Sequence, residues 1–400
     1  MEEKKIVLSG MRPTGALHLG HYHGALKNWA KLQHQYDCYF FVADWHALTT
    51  HYEDRSVIER SVYEMVIDWL AGGLEPEACT MFLQSRMPQH AELFTLLAMG
   101  TPLGWLERVP TYKDQQQQLK DKDLSTYGFL GYPLLQAADI LMYKAHYVPV
   151  GEDQSSHVEL TREAARRFND LYGRGPHDAA ATQEALAKLT KEDQRYLRSL
   201  KKKFQETGDE AALGKYQGFV AEQGGLSDVQ KSLLNSDATG KGKTVLVEPQ
   251  VLLSSVSKLP GLDGRKMSKS YGNGIAMREA PAAITQKIKT MPTDPARVKR
   301  TDPGSPERCP VWQFHTVYSS PETQQWARLG CTTAAIGCLE CKQPVIDAVL
   351  TEQAPMLERA ASYVANPARV KEIVDAGCKR AQLRANSTML EVRAAMGLNY

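Results

Sequence analysis

Short apolar runs alternate in the first 173 residues with longer stretches in which apolar residues recur every three or four positions. The short runs are typical of buried parallel strands, and the longer stretches are typical of amphipathic helices. Strands are predicted at residues 6–8, 38–43, 80–83 and 147–150. Helices are predicted at residues 22–29, 57–70, 91–99, 134–142 and 157–172. This alternation predicts an α/β fold with a doubly wound parallel sheet and helices on both faces.

Polar residues follow several of these predicted strands. Ser9 and Gly10 end the first strand, Asp44 follows the second, and residues 151–154 follow the fourth. Ligands of open parallel sheets bind outside the carboxyl ends of the strands. The pattern therefore predicts a binding site along this rim.

The turn after the first strand leads into a helix that begins with two histidines. Residues 13–21 contain a proline and two glycines and end in His18-Leu19-Gly20-His21. Histidines three positions apart lie on one helix face. A helix N-terminus offers free N–H groups and a positive dipole end, which suits a phosphate group.

A second stretch, residues 264–273, carries two lysines among glycines and small hydroxyl residues. Lysine is rarely buried without a partner, so this stretch is predicted to be a loop. Two ammonium groups on a loop can close over a polyphosphate and neutralise charge as it develops.

Together, His18-Leu19-Gly20-His21 and Lys266-Met267-Ser268-Lys269-Ser270 resemble the two ATP-binding motifs of class I aminoacyl-tRNA synthetases. Further stretches resemble the bacterial tryptophanyl-tRNA synthetases, namely residues 42–49, 132–139, 148–154, 157–162 and 395–398. The resemblance covers about residues 5–173 and 250–398. It implies a Rossmann-like catalytic domain at residues 1–173 and 251–280, a helical, partly basic insertion at 174–250, and an α-helical anticodon-binding domain at 281–400.

The resemblance also implies which residues bind ATP and Mg²⁺. His18, His21, Lys266 and Lys269 would hold the phosphates and close over pyrophosphate. The remaining expected ATP contacts are Arg12, Pro13, Thr14, Gly20, Gly151, Glu152, Asp153, Leu259, Met267, Ser268 and Ser270. Arg12 stands where well-known members carry glutamine.

For L-tryptophan, the resemblance implies that Asp139 accepts the indole N–H, with Tyr132 and Gln154 near the amino group. The other expected contacts are Ser9, Gly10, His46, Gln136, Val148 and Val150. Gln136 stands where the best-known bacterial members carry methionine, and glutamine at this position is similar to tyrosyl-tRNA synthetases. Tyrosine is therefore the alternative substrate.

Four of the seven cysteines lie between positions 309 and 341, namely Cys309, Cys331, Cys338 and Cys341. Four thiolates can bind zinc or ligate a 4Fe–4S cluster, and the spacing alone does not choose between them. A subset of bacterial tryptophanyl-tRNA synthetases has a closely similar pattern, and this resemblance implies a 4Fe–4S cluster. The isolated Cys38, Cys79 and Cys378 are expected to be packing residues.

The remaining polar and basic segments support weaker predictions. Residues 113–123 are expected to form a surface excursion, 182–204 a helix with a basic stretch at 195–203, and 235–243 a linker. Residues 286–300 are expected to be helical and to contact RNA. In the insertion, a solvated basic face is the preferred interpretation and RNA contact is the alternative.

Composition fits a cytoplasmic enzyme. The 400 residues are 42% hydrophobic and 24% charged, with a net charge of +2, so RNA contact must come from local patches. No apolar run approaches the ~18 residues of a membrane span. The resemblance implies a homodimer that acts on tRNA(Trp). Two other interpretations are a nucleotidyltransferase that does not use tRNA and a non-catalytic RNA-binding paralogue.

Overall fold

The computed structural model describes residues 4–52, 56–109, 126–151, 155–173, 176–207, 209–239, 244–253, 259–268 and 271–400. Five predicted site residues lie outside these ranges, namely Glu152, Asp153, Gln154, Lys269 and Ser270. The predicted surface excursion at 113–123 lies outside them as well.

A five-stranded sheet forms the centre of the fold. Its strands are β1 (Ile6–Met11), β2 (Asp37–Val42), β3 (Cys79–Leu83), β4 (Tyr147–Val150) and β5 (Gln250–Leu253), in the order β3-β2-β1-β4-β5. β1 pairs in parallel with β2 and β4, and β2 pairs in parallel with β3. The α/β prediction is therefore confirmed.

Helices alternate with the first four strands. The helix after β1 consists of Leu19–His21, a π-helical turn at Tyr22–Leu26, and Lys27–Leu32. The next helices in the described chain are Asp44–His51, Ser56–Ala71, Pro88–Gly100, Leu103–Glu107, Tyr127–Met142 and Ser155–Tyr172. Trp29 stacks on Phe40 of β2 with ring centroids 4.4 Å apart, and Trp69 packs edge-on against Trp29. Aromatic burial of this kind fixes the helices on the sheet.

The chain divides into two compact units. The first contains residues 1–87, 147–153 and 251–381, and the second contains 88–146, 154–250 and 382–400. The C-terminal helices are Pro281–Thr290, Pro310–Tyr318, Pro321–Thr332, Cys338–Ala365 and Pro367–Met396. Within the first unit, a Cβ atom on Gly377 would lie 1.8 Å from the carbonyl oxygen of Met81, so glycine lets the last helix approach β3 closely.

The insertion has a hydrophobic core of its own. Its helices are Pro176–Ala187, Lys191–Thr207, Glu210–Glu222 and Asp228–Thr239. Leu197, Tyr216, Val220 and Leu234 are among the buried residues of this core. The helical character of the insertion is therefore confirmed.

Three predicted boundaries are wrong. The helix expected at 182–204 is two helices with a break at 188–190. Residues 235–239 of the expected linker belong to a helix, while 240–243 lie outside the described residues. The helix expected at 286–300 ends at Thr290, because residue 292 is a proline and the residue before a proline disfavours helical geometry.

The isolated cysteines are buried free thiols, as expected for packing residues. Burial raises the pKa of Cys38 and of Cys79 to about 12. None of the helices in the described part of the chain combines the length and apolar character that a bilayer crossing requires.

Candidate active site

The two predicted phosphate-binding segments meet through their backbones. Leu19 N–H donates to the carbonyl of Ile275 at 2.9 Å, and Met277 N–H donates to the carbonyl of Leu17 at 2.9 Å. His18 and Ala276 form an antiparallel bridge between these two hydrogen bonds. Segments that are about 250 positions apart in the sequence thus lie side by side.

The two histidines lie at the start of the helix that follows β1. His18 is the N-cap residue, and its N–H donates to Nδ1 of His21 at 3.2 Å. The two rings lie close, with centroids 3.7 Å apart. A Cβ atom on Gly20 would lie 2.9 Å from the His18 ring, so glycine is required between them. The structure therefore brings both imidazoles to one helix N-terminus.

The lysine segment contacts the histidine segment through a methionine. Met267 is buried, and its Sδ accepts a hydrogen bond from Gly20 N–H at 3.3 Å. Neighbouring Lys266 is exposed, and Pro260 forms a bridge with it. The segment thus holds its apolar residue inside and presents its ammonium group to solvent.

Asn273 fixes the turn around the lysine segment. Its side-chain oxygen accepts from Ser268 N–H at 2.8 Å, and its amide nitrogen donates to Asp263 at 2.8 Å. A hydrogen bond from Asn273 is the principal cause that lowers the pKa of Asp263 to about 2. Gly264 has a positive φ of 83°, a backbone conformation that favours glycine.

A buried carboxylate joins the same two segments. Asp68, from the helix Ser56–Ala71, accepts Leu17 N–H at 2.8 Å through Oδ2 and Arg278 Nε–H at 2.6 Å through Oδ1. Burial raises the pKa of Asp68, and the charge of Arg278 opposes that rise. Asp68 therefore positions the backbone before His18 and the backbone after the lysine segment.

A second, partly buried carboxylate contacts the helix that follows β1. Glu352 accepts hydrogen bonds from His23 at 2.8 Å, Tyr318 at 2.9 Å and Lys27 at 3.1 Å. Burial disfavours its ionised form, but these hydrogen bonds outweigh burial and lower the pKa of Glu352 to about 2. His23 belongs to the π-helical turn, a feature that is frequent at functional sites.

Several predicted residues lie at the carboxyl ends of strands in the first unit. Ser9 and Gly10 lie in β1 just before it ends at Met11, and a Cβ atom on Gly10 would lie 2.6 Å from the Phe41 ring. Buried His46 donates its backbone N–H to the side-chain oxygen of Gln84 at 3.3 Å. The other predicted residues of this kind are Arg12, Pro13 and Thr14 after β1, Val148 and Val150 on β4, and Gly151 after β4. Leu259 is buried in the same unit.

The remaining predicted residues lie in the second unit, on the helix Tyr127–Met142. Asp139 is completely buried, and its Oδ1 accepts from Nδ1 of His90 at 2.7 Å. Nε2 of His90 lies 2.8 Å from the Tyr143 hydroxyl. In the tautomer in which Nδ1 donates to Asp139, Nε2 accepts from that hydroxyl. His90 therefore fixes the orientation of the Asp139 carboxylate.

Gln136 and Tyr132 lie one and two turns earlier on the same helix and share a different histidine. His157 Nδ1 donates to the Gln136 side-chain oxygen at 2.7 Å, and its Nε2 lies 3.4 Å from the Tyr132 hydroxyl. The helical spacing of Tyr132, Gln136 and Asp139 places all three on one face.

The four clustered cysteines line one cavity of about 20 Å³, together with Asp294, Arg297 and two other residues. Burial, together with the other three thiols, raises the pKa of Cys341 to about 12. No group of three or more His, Cys, Asp or Glu side chains, within the ranges that the structure describes, is spaced to hold a metal ion. The structure thus brings the four thiols to one cavity, but they are not arranged as a metal-coordination site there. The expected metal site is therefore not observed among the described residues.

Four residues that support the site were not predicted. Glu352 contacts the helix that follows β1, His90 contacts Asp139, and Asp68 and Arg278 connect the backbone segments that flank the two motifs. None of them belongs to a recognisable motif, and each acts through a partner more than 20 positions away. An isolated charged or imidazole side chain in a helix pattern carries no signal of such a partner.

The chain is similar in sequence to known aminoacyl-tRNA synthetases. A sequence model described as "tRNA synthetases class I (W and Y)" matches residues 1–194 and 228–351. The tryptophan–tRNA ligase of Ralstonia nicotianae is 61% identical over 394 residues, with 98% of both chains covered. The tryptophan–tRNA ligase of Thermotoga maritima is 44% identical over 396 residues, covering 98% of this chain and 99% of the relative.

Among solved structures, the tryptophanyl-tRNA synthetase of Campylobacter jejuni complexed with ADP and tryptophan is similar, with a TM-score of 0.72. The alignment covers 98% of this chain and 100% of that chain at 24% identity, and it supports the fold.

Proposed function

Because this chain belongs to the class I tRNA synthetases of the W and Y family, we propose that it is a tryptophan–tRNA ligase. It activates L-tryptophan with ATP to give tryptophanyl-adenylate and pyrophosphate, and then transfers the tryptophanyl group to the 3′-terminal ribose of tRNA(Trp). The observation that carries this proposal is the 61% identity to a tryptophan–tRNA ligase across nearly the whole of both chains.

The chemistry of activation explains why the two backbone-paired segments matter. The tryptophan carboxylate attacks the α-phosphate, and negative charge develops on the non-bridging and leaving oxygens. Preorganised donors and cations that face this charge lower the barrier. We propose that His18 and His21 hold the phosphates at the helix N-terminus, and that Lys266 and Lys269 close over pyrophosphate with Mg²⁺. Backbone pairing at His18 and Ala276 supports this, because it keeps the two segments in register.

The other predicted contacts remain proposals. Those toward ATP are Arg12, Pro13, Thr14, Gly20, Gly151, Glu152, Asp153, Leu259, Met267, Ser268 and Ser270. Those toward tryptophan are Ser9, Gly10, His46, Tyr132, Gln136, Val148, Val150 and Gln154. The buried position of Asp139 supports its role as acceptor of the indole N–H. A substrate that lacks this donor would leave the buried carboxylate with one hydrogen bond fewer, which weakens binding of that substrate.

Pyrophosphate exchange into ATP without tRNA tests the function and its specificity. We expect exchange with tryptophan and at least about 1,000-fold less with tyrosine, because the phenol hydroxyl projects from a different point of its ring than the indole N–H and leaves the buried Asp139 acceptor without its donor. Exchange with tyrosine alone would reverse the specificity and make the chain a tyrosine–tRNA ligase. Exchange with neither amino acid would favour a non-catalytic paralogue, or a nucleotidyltransferase that acts on another carboxylate.

We propose further that Cys309, Cys331, Cys338 and Cys341 hold a 4Fe–4S cluster, with zinc as the alternative. Four soft thiol donors around one cavity fit either group in chemistry, and the family is the source of the preference for iron. Bound there, the group would cross-link the helices Pro310–Tyr318, Pro321–Thr332 and Cys338–Ala365. Anaerobic purification followed by iron, sulfide and zinc analysis is expected to give about four iron and four sulfide per chain. Stoichiometric zinc without iron would contradict the cluster.

The domain boundaries at 173, 250 and 280, the homodimer and the cytoplasmic location also remain proposals. Sedimentation equilibrium of the full chain tests the dimer, for which an apparent mass of twice 44.6 kDa is expected.

A further inference from the structure

The helix Lys191–Thr207 lies mostly outside the residues that the family model matches. The family model matches residues up to 194 and resumes at 228, so residues 195–227 lie outside the region that this model describes. The helix carries six basic and three acidic residues, although the whole chain has a net charge of only +2. Positive charge is therefore concentrated on this element.

One face of the helix is occupied by packing. Leu197 and Leu200 are buried in the core of the insertion, against residues such as Tyr216, Val220 and Leu234. The same helix uses two of its lysines inside the insertion: Lys201 pairs with Asp237 at 2.6 Å, and Lys203 pairs with Asp209 at 2.7 Å. These residues have structural roles and leave the opposite face to solvent.

That opposite face carries a row of basic residues, Lys191, Arg195, Arg198 and Lys202, which we call the basic row. Their spacing of four, three and four places them on one side of an α-helix, over a length of about 16 Å. All four are exposed. Lys191, Arg195 and Arg198 have no carboxylate partner among the residues that the structure describes.

A purely solvated helix face usually mixes both signs of charge, which keeps neighbouring side chains from repelling one another. All four side chains of the basic row are positively charged, and a polyanion that lies along the row reduces their mutual repulsion. Arginine adds a planar donor pair that matches phosphate oxygens.

We propose that the basic row binds the sugar-phosphate backbone of tRNA, and that the insertion is an additional tRNA-binding module of this enzyme. The inference rests on the proposed function, which makes a tRNA the natural polyanion for this surface. Contacts to phosphate supply affinity and orientation without reading sequence, so the basic row strengthens tRNA binding and leaves anticodon recognition to other residues.

The test compares full-length R195Q/R198Q with R195K/R198K, and includes K215Q as a control on the exposed face of the next helix. The dissociation constant for a tRNA(Trp) transcript is measured at several KCl concentrations. The glutamine variant is expected to bind roughly tenfold more weakly, and its log–log salt slope is expected to fall by about two, one for each lost phosphate contact. The lysine variant keeps the charge and is expected to retain most of the slope, and K215Q is expected to match the wild type.

Tryptophan-dependent pyrophosphate exchange, measured without tRNA on the same preparations, reports folding and activation separately. Normal exchange in R195Q/R198Q together with weaker tRNA binding supports the module. Normal exchange with unchanged tRNA affinity and slope overturns it, as does an equal loss in the lysine and glutamine variants. If the wild type shows no tryptophan-dependent exchange, the proposed function fails, whatever the salt slopes show.

Discussion

At the scale of single residues, the site depends on a carboxylate that no motif contains. Asp68 uses one oxygen for the backbone before His18 and the other for Arg278, which follows the lysine segment. An asparagine in its place has only one acceptor oxygen, and its amide group would face a donor on the other side. The residue is therefore suited to position two phosphate-binding segments at once.

We expect Asp68→Asn to lower kcat/KM for ATP in pyrophosphate exchange by about 10- to 100-fold, because small displacements of positioning groups have effects of this size. The KM for tryptophan is expected to stay near the wild-type value, since the side-chain hydrogen bonds described for Asp68 go to Leu17 and Arg278, which flank the two phosphate-binding motifs. Steady-state exchange with ATP and tryptophan varied independently separates the two constants.

Glu64→Gln is the matched control, since Glu64 pairs with the same arginine but is half exposed. Exposed ion pairs contribute little, so this variant is expected to behave like the wild type within about twofold. Equal effects of Asp68→Asn on both substrates would indicate general loss of structure and would contradict a positioning role.

At the scale of elements, the π-helical turn Tyr22–Leu26 is tied to the helix Cys338–Ala365 through His23 and Glu352. The folded-state pKa of Glu352 is about 2, below its ordinary value of 4.5. The stabilisation is therefore fully present above about pH 4.5 and is lost as the pH falls towards 2. This difference corresponds to roughly 3 kcal/mol of unfolding free energy at neutral pH.

Glu352→Gln is expected to lower the free energy of unfolding by about 3 kcal/mol at pH 7. The gap between variant and wild type should shrink as the pH falls below 4.5, because the wild-type carboxylate then becomes protonated. Urea unfolding at a series of pH values measures the gap. Glu358→Gln, an exposed change on the same helix, should leave stability nearly unchanged at every pH. A gap independent of pH would contradict the role of the ionised carboxylate.

Element boundaries show where sequence patterns reach their limit. Residues 182–204 have continuous helical spacing of leucines, yet the chain breaks at 188–190 and a new helix begins. The Thr190 hydroxyl accepts Asp193 N–H at 3.2 Å and donates to the Asp193 carboxylate at 2.7 Å. A threonine followed three residues later by an acidic residue is a signal for the start of a helix. Here this signal determined the boundary, although the leucines continue at helical spacing across it. β5 (Gln250–Leu253) was not predicted from the sequence.

At the scale of the whole molecule, the sheet and the pairing of the two motifs were predictable, because they depend on strong periodicity and on residue types with few alternatives. Neither the contact of Asp139 with His90 nor the closure of four cysteines around one cavity without a coordination shell could be predicted. Both depend on side-chain placement after packing, which one-dimensional spacing does not record.

The insertion has a core of its own, so its stability is expected to be separable from that of the sheet. Leu234→Ala creates a cavity in this core and is expected to cost about 2–5 kcal/mol locally. Hydrogen exchange should show lost protection in residues 176–239, while tryptophan-dependent pyrophosphate exchange stays near wild type. Val229→Ala, at an exposed position of the same helix, is the control. Equal loss of protection in β1 and β2 would contradict a separate core.

The backbone anchors of the lysine segment have a consequence for the entropy of binding. Its start is held by the Pro260–Lys266 bridge, and its end by the hydrogen bonds of Ile275 and Met277 to the histidine segment. Ordering a residue of free chain costs about 1–2 kcal/mol. For the anchored residues this cost is met when the protein folds and not when ATP arrives. More of the nucleotide's interaction free energy is then left to stabilise the transition state.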